Sequence, residues 1–160
     1  MRLLPVSILL TFVLSMAAPR TASSAANHIV ISEFAHRGPS AATDEFVELY
    51  NPTESAISLA GWKLQYKSAS GSIWNDRAVL TAGATIAAHG FYLMANTSYA
   101  GSPAPDFTSG AWTSGTGMAD DGNIRILDGS AVEVDKVGGA PPMIRRADRT
   151  RRGRAPALTT

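Results

Sequence analysis

Residues 44–66 read Asp-Glu-Phe-Val-Glu-Leu-Tyr-Asn-Pro-Thr-Glu-Ser-Ala-Ile-Ser-Leu-Ala-Gly-Trp-Lys-Leu-Gln-Tyr. Glu45, Val47 and Leu49 alternate with Phe46, Glu48 and Tyr50, the two-residue period of a strand with distinct faces. Asn51-Pro52 ends the strand, because proline donates nothing to a ladder and Asn favours turns. Ile57 and Leu59 form a second, shorter apolar run, and Gly61 permits a sharp bend. Beyond it Trp62, Leu64 and Tyr66 share one face, with Lys63, Gln65 and Lys67 on the other. The stretch reads as strand, turn, strand, with Val47, Leu49, Trp62 and Leu64 turned to a core.

The flanking sequence repeats this style. Residues 28–35 form the first strand, with Ile29, Ile31 and Phe34 facing the core, and residues 37–43 are a Gly/Pro/Ser loop. After a turn at 68–72, Ile73-Trp74 is a short edge piece and Asn75-Asp76-Arg77 a polar loop. Val79-Leu80 and Thr85-Ile86 are short strands, and Ala88-His89-Gly90 turns the chain into a strand at 91–95. A loop rich in Ser, Pro, Gly and Thr spans residues 96–119, a length that in compact domains is often functional or mobile. Gly122 opens the strand 124–127, and Asp128-Gly129-Ser130 turns it back into 132–135, Asp-Gly being a strong hairpin signal. No stretch outside the first 26 residues has helical spacing with caps. Many short strands joined by such turns predict an all-β sandwich.

The chain resembles the lamin-tail domain as found in secreted bacterial proteins. The likeness rests on Glu45-Phe46-Val47-Glu48-Leu49-Tyr50-Asn51-Pro52, then Ile57, Leu59, Gly61-Trp62 and Leu64. It continues through Tyr66-Lys67-Ser68-Ala69-Ser70-Gly71, Gly90-Phe91-Tyr92-Leu93 and Asp121-Gly122-Asn123-Ile124-Arg125-Ile126 to Val134-Asp135-Lys136-Val137-Gly138. The resemblance implies an immunoglobulin-like β-sandwich serving as an interaction module, without a catalytic site. In bacteria such modules are often found in secreted proteins, beside hydrolase or nuclease domains, and nuclear lamin tails contact chromatin components. Where the family pattern continues with a Trp-Gly pair after its last strand, this chain does not.

Charge is divided along the chain. Residues 27–137 carry six basic and twelve acidic side chains, a net of −6, while residues 138–160 carry six arginines against Asp148, a net of +5. There is no cysteine, so a hydrophobic core must hold the fold without disulfides. Residues 1–26 read as a secretory signal peptide of bacterial type: Arg2, a largely apolar run over 3–18, and small residues with Ser24-Ala25-Ala26 as the cleavage site. The mature protein then begins near Asn27, with its domain at 27–138 and no transmembrane span; the alternative is a leader retained as an anchor. Residues 139–160 are rich in Pro and Arg and read as a disordered tail. Arg145, Arg146, Arg149, Arg151, Arg152 and Arg154 are candidate polyanion-binding residues. The change of composition is abrupt, as a shifted reading frame in a GC-rich gene would produce, and a Trp-Gly continuation in the adjacent frame would identify it.

No catalytic constellation emerges. His28, His36 and His89 are scattered, without metal-pair spacing, and no G-x-S-x-G elbow is present. Glu45 and Glu48 fall on opposite faces of their strand and make poor co-ligands. Asp120-Asp121-Gly122-Asn123 reads as a turn held by Asp and Asn hydrogen bonds, the alternative being a calcium loop. Trp62 reads as core. Trp74, Trp112 and Tyr99 read as closing the ends of the sandwich, the alternative being an exposed stacking platform. The chain is thus expected to be an exported, non-enzymatic module without cofactor or metal. It would tether or bind a protein or cell-surface polymer through the long loop, with Tyr99, Asp106, Phe107 and Trp112 as the candidate contacts. The alternative function is binding of nucleic acid or another polyanion through the arginines.

Overall fold

Val47 and Leu49 are fully buried while Phe46 and Tyr50 are only half-buried, so the alternation seen in the sequence is strand β2 (Phe46–Tyr50). The computed structural model describes residues 26–37, 41 and 43–138. The expected leader, except Ala26, and the arginine-rich segment lie outside the described residues. Around β2 stand β1 (Val30–Ala35), β3 (Ile57–Ser58), β4 (Lys63–Lys67), β5 (Asn75–Val79), β6 (Thr85–Ile86), β7 (Phe91–Ala95), β8 (Phe107–Thr108), β9 (Asn123–Leu127) and β10 (Glu133–Gly138). A 3-10 turn at Ser114–Thr116 is the one helical element among the described residues.

The strands form two four-stranded sheets, ordered β1-β2-β7-β8 and β10-β9-β4-β5, with a small β3-β6 ladder beside them. All pairings are antiparallel except β7 with β8. The core lies between the sheets: Ile31, Val47, Leu49 and Met94 from the first meet Leu64, Tyr66, Ile124 and Ile126 from the second. Each such aliphatic side chain contributes about 1.5–3 kcal/mol through burial. Trp62 sits just before β4, half-buried against this core rather than within a strand. At the first sheet's edge Ile31 N–H donates to Asp135 Oδ2 of β10 at 2.7 Å, fastening the two sheets together.

The turns follow from side-chain chemistry. Asn51 is fully buried; its amide donates to the carbonyls of Ser55 (2.8 Å) and Ala87 (2.9 Å), and its Oδ1 accepts from Thr53 N–H and Oγ1. The Asn-Pro signal is therefore a buried hub as well as a turn. Gly61 takes φ +76°, the left-handed geometry that glycine tolerates. In the hairpin after β9 the left-handed residue is Ala131 (φ 63°) rather than Gly129, because Asp128 Oδ1 accepts from both Ser130 and Val132 N–H and closes the loop itself.

Several expectations are corrected. Asn75-Asp76-Arg77 is strand, not loop. Asp76 accepts there from Lys63 and Gln65, and the Arg77 guanidinium packs over the Tyr66 ring at 5.0 Å and donates from one Nη to Gly117 O at 3.4 Å, while its buried Nε has no hydrogen-bond partner among the described residues. That strand ends at Val79, and Ile73-Trp74 precedes it without joining it. The first strand begins at Val30, two residues later than expected. Phe107-Thr108, inside the expected loop, adds a short strand beside β7.

Bulges set which side chains face which way. In β1 the register steps from Ile31↔Leu49 to Glu33↔Glu48, leaving Ser32 as the extra residue. Phe34 thereby returns to the core side opposite Val47, and Glu33 moves to the outer face beside Glu48. The Ser32 hydroxyl donates to Glu48 O (3.1 Å) and Oε1 (3.0 Å). Arg77 in β5 and Val134 in β10 are bulged in the same manner.

Candidate functional site

The long loop after β7 is anchored by carboxylates. Glu45, buried at the start of β2, accepts Asn96 Nδ2 (3.1 Å) and Trp112 Nε1 (2.7 Å) on Oε2, and Met118 N–H (2.6 Å) on Oε1. Asp44 Oδ1 accepts Ala100 N–H at 3.0 Å. Asp106 returns the loop to the sheet: its Oδ2 accepts Leu93 N–H at 2.7 Å and its own N–H donates to Leu93 O at 2.9 Å. Three carboxylates thus hold residues 96–106 against the outer face of the first sheet.

That face carries Glu33 from β1, Phe46 and Glu48 from β2, and Leu93 from β7. Register partners place Glu33 opposite Glu48 and Glu48 opposite Leu93. With Tyr99, Ser102 and Pro103 of the loop as roof, these residues line a cavity of about 250 Å³. The Tyr99 ring meets Phe46 edge-to-face at 6.0 Å. Two carboxylates and two aromatic rings around one space suit a cationic group, which carboxylates neutralise and ring faces attract.

The expected contact residues separate. Tyr99 roofs the cavity, and Asp106 holds the roof down without lining the space. Phe107 packs half-buried against the core. Trp112 is fully buried. Its indole N–H is consumed by Glu45, so it closes the sandwich and cannot serve as a stacking platform. Trp74 is half-buried between cations, 4.3 Å from the Arg125 guanidinium and 5.6 Å from Lys67 Nζ. The six arginines lie outside the described residues.

The sequence did not single out Glu33, Phe46, Glu48, Leu93, Ser102 and Pro103 together. Period-two alternation puts Phe46 and Glu48 on one face; Glu33 joins them only through the Ser32 bulge, which leaves no compositional mark.

At the end of the sandwich below Glu45, Asp120 Oδ1 pairs with Arg37 Nε at 2.9 Å, and Gly122 N–H closes a turn on Ala119 O. Among the described residues no group of three His, Cys, Asp or Glu is placed to hold a metal ion. His36 lies nearby, its ring edge-on to Phe34 at 5.1 Å. Burial lowers its pKa from the ordinary 6.5, against the opposing pull of Asp120, Glu45 and Asp121 and with a small addition from Arg37. Its Nε2 has no hydrogen-bond partner among the described residues. Also among the described residues, no helix is long and apolar enough to cross a membrane.

Comparison with curated proteins finds no match to the chain. A family model, the Lamin Tail Domain, matches residues 22–140, a span that contains every strand described above. Its members carry an immunoglobulin-like fold of the two-sheet kind seen here. By this match the chain belongs to the Lamin Tail Domain family, whose sandwich serves as a protein-interaction module.

Proposed function

We propose that this chain is an exported, non-enzymatic interaction module working at the bacterial cell exterior, and that it meets its partner at the roofed cavity on the first sheet. The observation that carries the reading is the construction of that roof. Asp44, Glu45 and Asp106 hold residues 96–106 over two carboxylates and an aromatic pair. Loops fixed so firmly to a rigid scaffold are where binding surfaces are built. Export is supported by the composition of residues 1–26. The partner is a protein or a cell-surface polymer presenting basic groups.

Crosslinking in intact cells followed by pull-down tests the site. Tyr99→Ser should remove the partner that the unaltered chain captures while leaving thermal unfolding nearly unchanged. An identical partner set from the variant rejects the cavity as the contact. Cell fractionation, with sequencing of the mature N-terminus, tests export; a product retained in the cytoplasm and starting at Met1 rejects it.

The divided charge of the chain favours a second reading, binding of nucleic acid or another polyanion through Arg145, Arg146, Arg149, Arg151, Arg152 and Arg154. Retention on immobilised DNA should then fall steeply with added salt and vanish when those arginines become serine.

A further inference from the structure

Residues 117–120, where the long loop returns toward β9, are fastened one after another. Arg77 Nη2 donates to Gly117 O at 3.4 Å, and Met118 N–H donates to Glu45 Oε1 at 2.6 Å. Ala119 N–H donates to the Tyr66 hydroxyl at 3.0 Å, and Asp120 Oδ1 accepts from Arg37 Nε at 2.9 Å. His36, the residue before that arginine, stands among these anchors. Its ring packs edge-on to Phe34, and its buried Nε2 has no hydrogen-bond partner among the described residues. We propose that His36 is an acid-operated latch on the long loop: when it takes up a proton, it competes for the carboxylates that hold residues 117–120, and this end of the loop loosens.

Three observations support it. The first is the setting of the ring. Glu45 at the start of β2 faces it, as do Asp120 and Asp121 ahead of β9 and the cation Arg37 beyond β1. The Arg77 guanidinium of β5 stands within the field of the same Glu45. A neutral ring tolerates a buried nitrogen without a partner far better than an imidazolium does, because the cation must be hydrogen-bonded or reach water. The second is that the carboxylates are engaged. Glu45 gives Oε2 to Asn96 and Trp112 and Oε1 to Met118, and Asp120 gives Oδ1 to Arg37. An imidazolium is satisfied either by drawing one of these groups toward itself or by swinging into water past the loop end. Both routes weaken the fastening of residues 117–120. The third is the sign of the linkage. Burial, the largest influence, holds the proton affinity of the folded ring below its ordinary value, against the pull of Asp120, Glu45 and Asp121. A loosened form that gives the ring water binds the proton more tightly, so it gains population as pH falls. With one proton involved, the gain is at most about tenfold per pH unit. Glu45 also holds Asn96, where the loop begins, so a change at Glu45 is felt at both ends of the loop.

Trp112 reports on the latch, because its indole N–H donates to Glu45 Oε2 at 2.7 Å. The test is a titration of the isotope-labelled full chain from pH 7.5 to 5, followed by NMR. The indole N–H of Trp112 and the amides of Met118 and Ala119 should shift or broaden with the same midpoint as the His36 ring protons. The indoles of Trp62 and Trp74, outside the latch, should hold still. His36→Gln, which keeps a polar side chain but cannot ionise in this range, should abolish the movement, and His36→Phe should do the same should the amide disturb the fold. Signals that stay flat while His36 titrates, that move with a different midpoint, or that move equally in both variants overturn the proposal. So does a His36 ring that stays neutral down to pH 5, and so does movement of all three indoles together. The latch concerns how the loop is held and needs no partner, so failure of the pull-down leaves it standing, and the converse holds.

Discussion

Glu45 shows how one buried carboxylate can organise a loop. Its two oxygens face only donors: Asn96 and Trp112 on one side, Met118 N–H on the other. Glu45→Gln keeps the shape but turns an amide NH2 toward at least one of those donors. The loss should be about 1–3 kcal/mol, the cost of an unsatisfied buried group, read as a lower denaturation midpoint with unchanged slope. His36 predicts a pH effect. Its folded pKa is depressed, chiefly by burial, so between that value and 6.5 the unfolded chain binds more protons than the folded one. Stability from this residue is therefore complete above pH ~6.5 and declines as pH falls toward the folded value. Melting temperature followed from pH 7.5 to 5 should lose that slope in His36→Phe; an identical slope in the variant refutes the assignment.

At the scale of elements, alternation was legible and bulges were not. Val47, Leu49, Leu64 and Tyr66 could be placed on the core face from period two alone, and the Asn-Pro, Gly61 and Asp128-Gly129 turns from local chemistry. Polar Asn75-Asp76-Arg77 misled, because its strand character comes from partners on β4 that are distant in sequence. Trp112 misled for a similar reason: a loop of Ser, Gly and Thr gives no sign of the buried carboxylate that draws the indole inward. The cavity was least visible, since plain alternation from Ile31 would turn Glu33 inward and only the bulging of Ser32 turns it outward. Deleting Ser32 should restore plain alternation, keeping Ile31 opposite Leu49, Glu33 opposite Glu48 on the outer face and Phe34 opposite Val47. The deletion and Ser32→Ala should each lose only about 1 kcal/mol, that of the Ser32 hydroxyl's hydrogen bonds to Glu48. Thermal unfolding of the two variants compares them directly. Gly122 marks another element boundary. A Cβ there would overlap the Tyr66 ring, which is held by Ala119 N–H on its hydroxyl and by Arg77 over its face. Gly122→Ala should destabilise by about 1–3 kcal/mol through overpacking, and added Tyr66→Leu should recover part of that loss.

For the whole molecule, a single disulfide-free core carries stability, so core truncations act on all strands at once. Leu64→Ala should cost about 2–5 kcal/mol, visible as one cooperative transition at lower denaturant rather than loss of one sheet. The two outer faces differ in kind. The first is partly covered by the loop after β7. The second is a lattice of paired charges, Lys63 with Asp76 and Arg125 with Glu133 and Gln65, which keeps it wetted. This division gives the sandwich one face to offer and one to keep in water.

The kink that Arg77 puts into β5 reaches beyond the packing of Tyr66. β5 ends its sheet, and nearby Ile73 and Val79 are 70% and 47% exposed, a combination that invites neighbouring molecules to zip on and grow fibres. An irregular backbone with charged Arg77 at its centre and Asp76 beside it offers a poor template for that growth. A sandwich held together without disulfides is thereby guarded against polymerising through this edge.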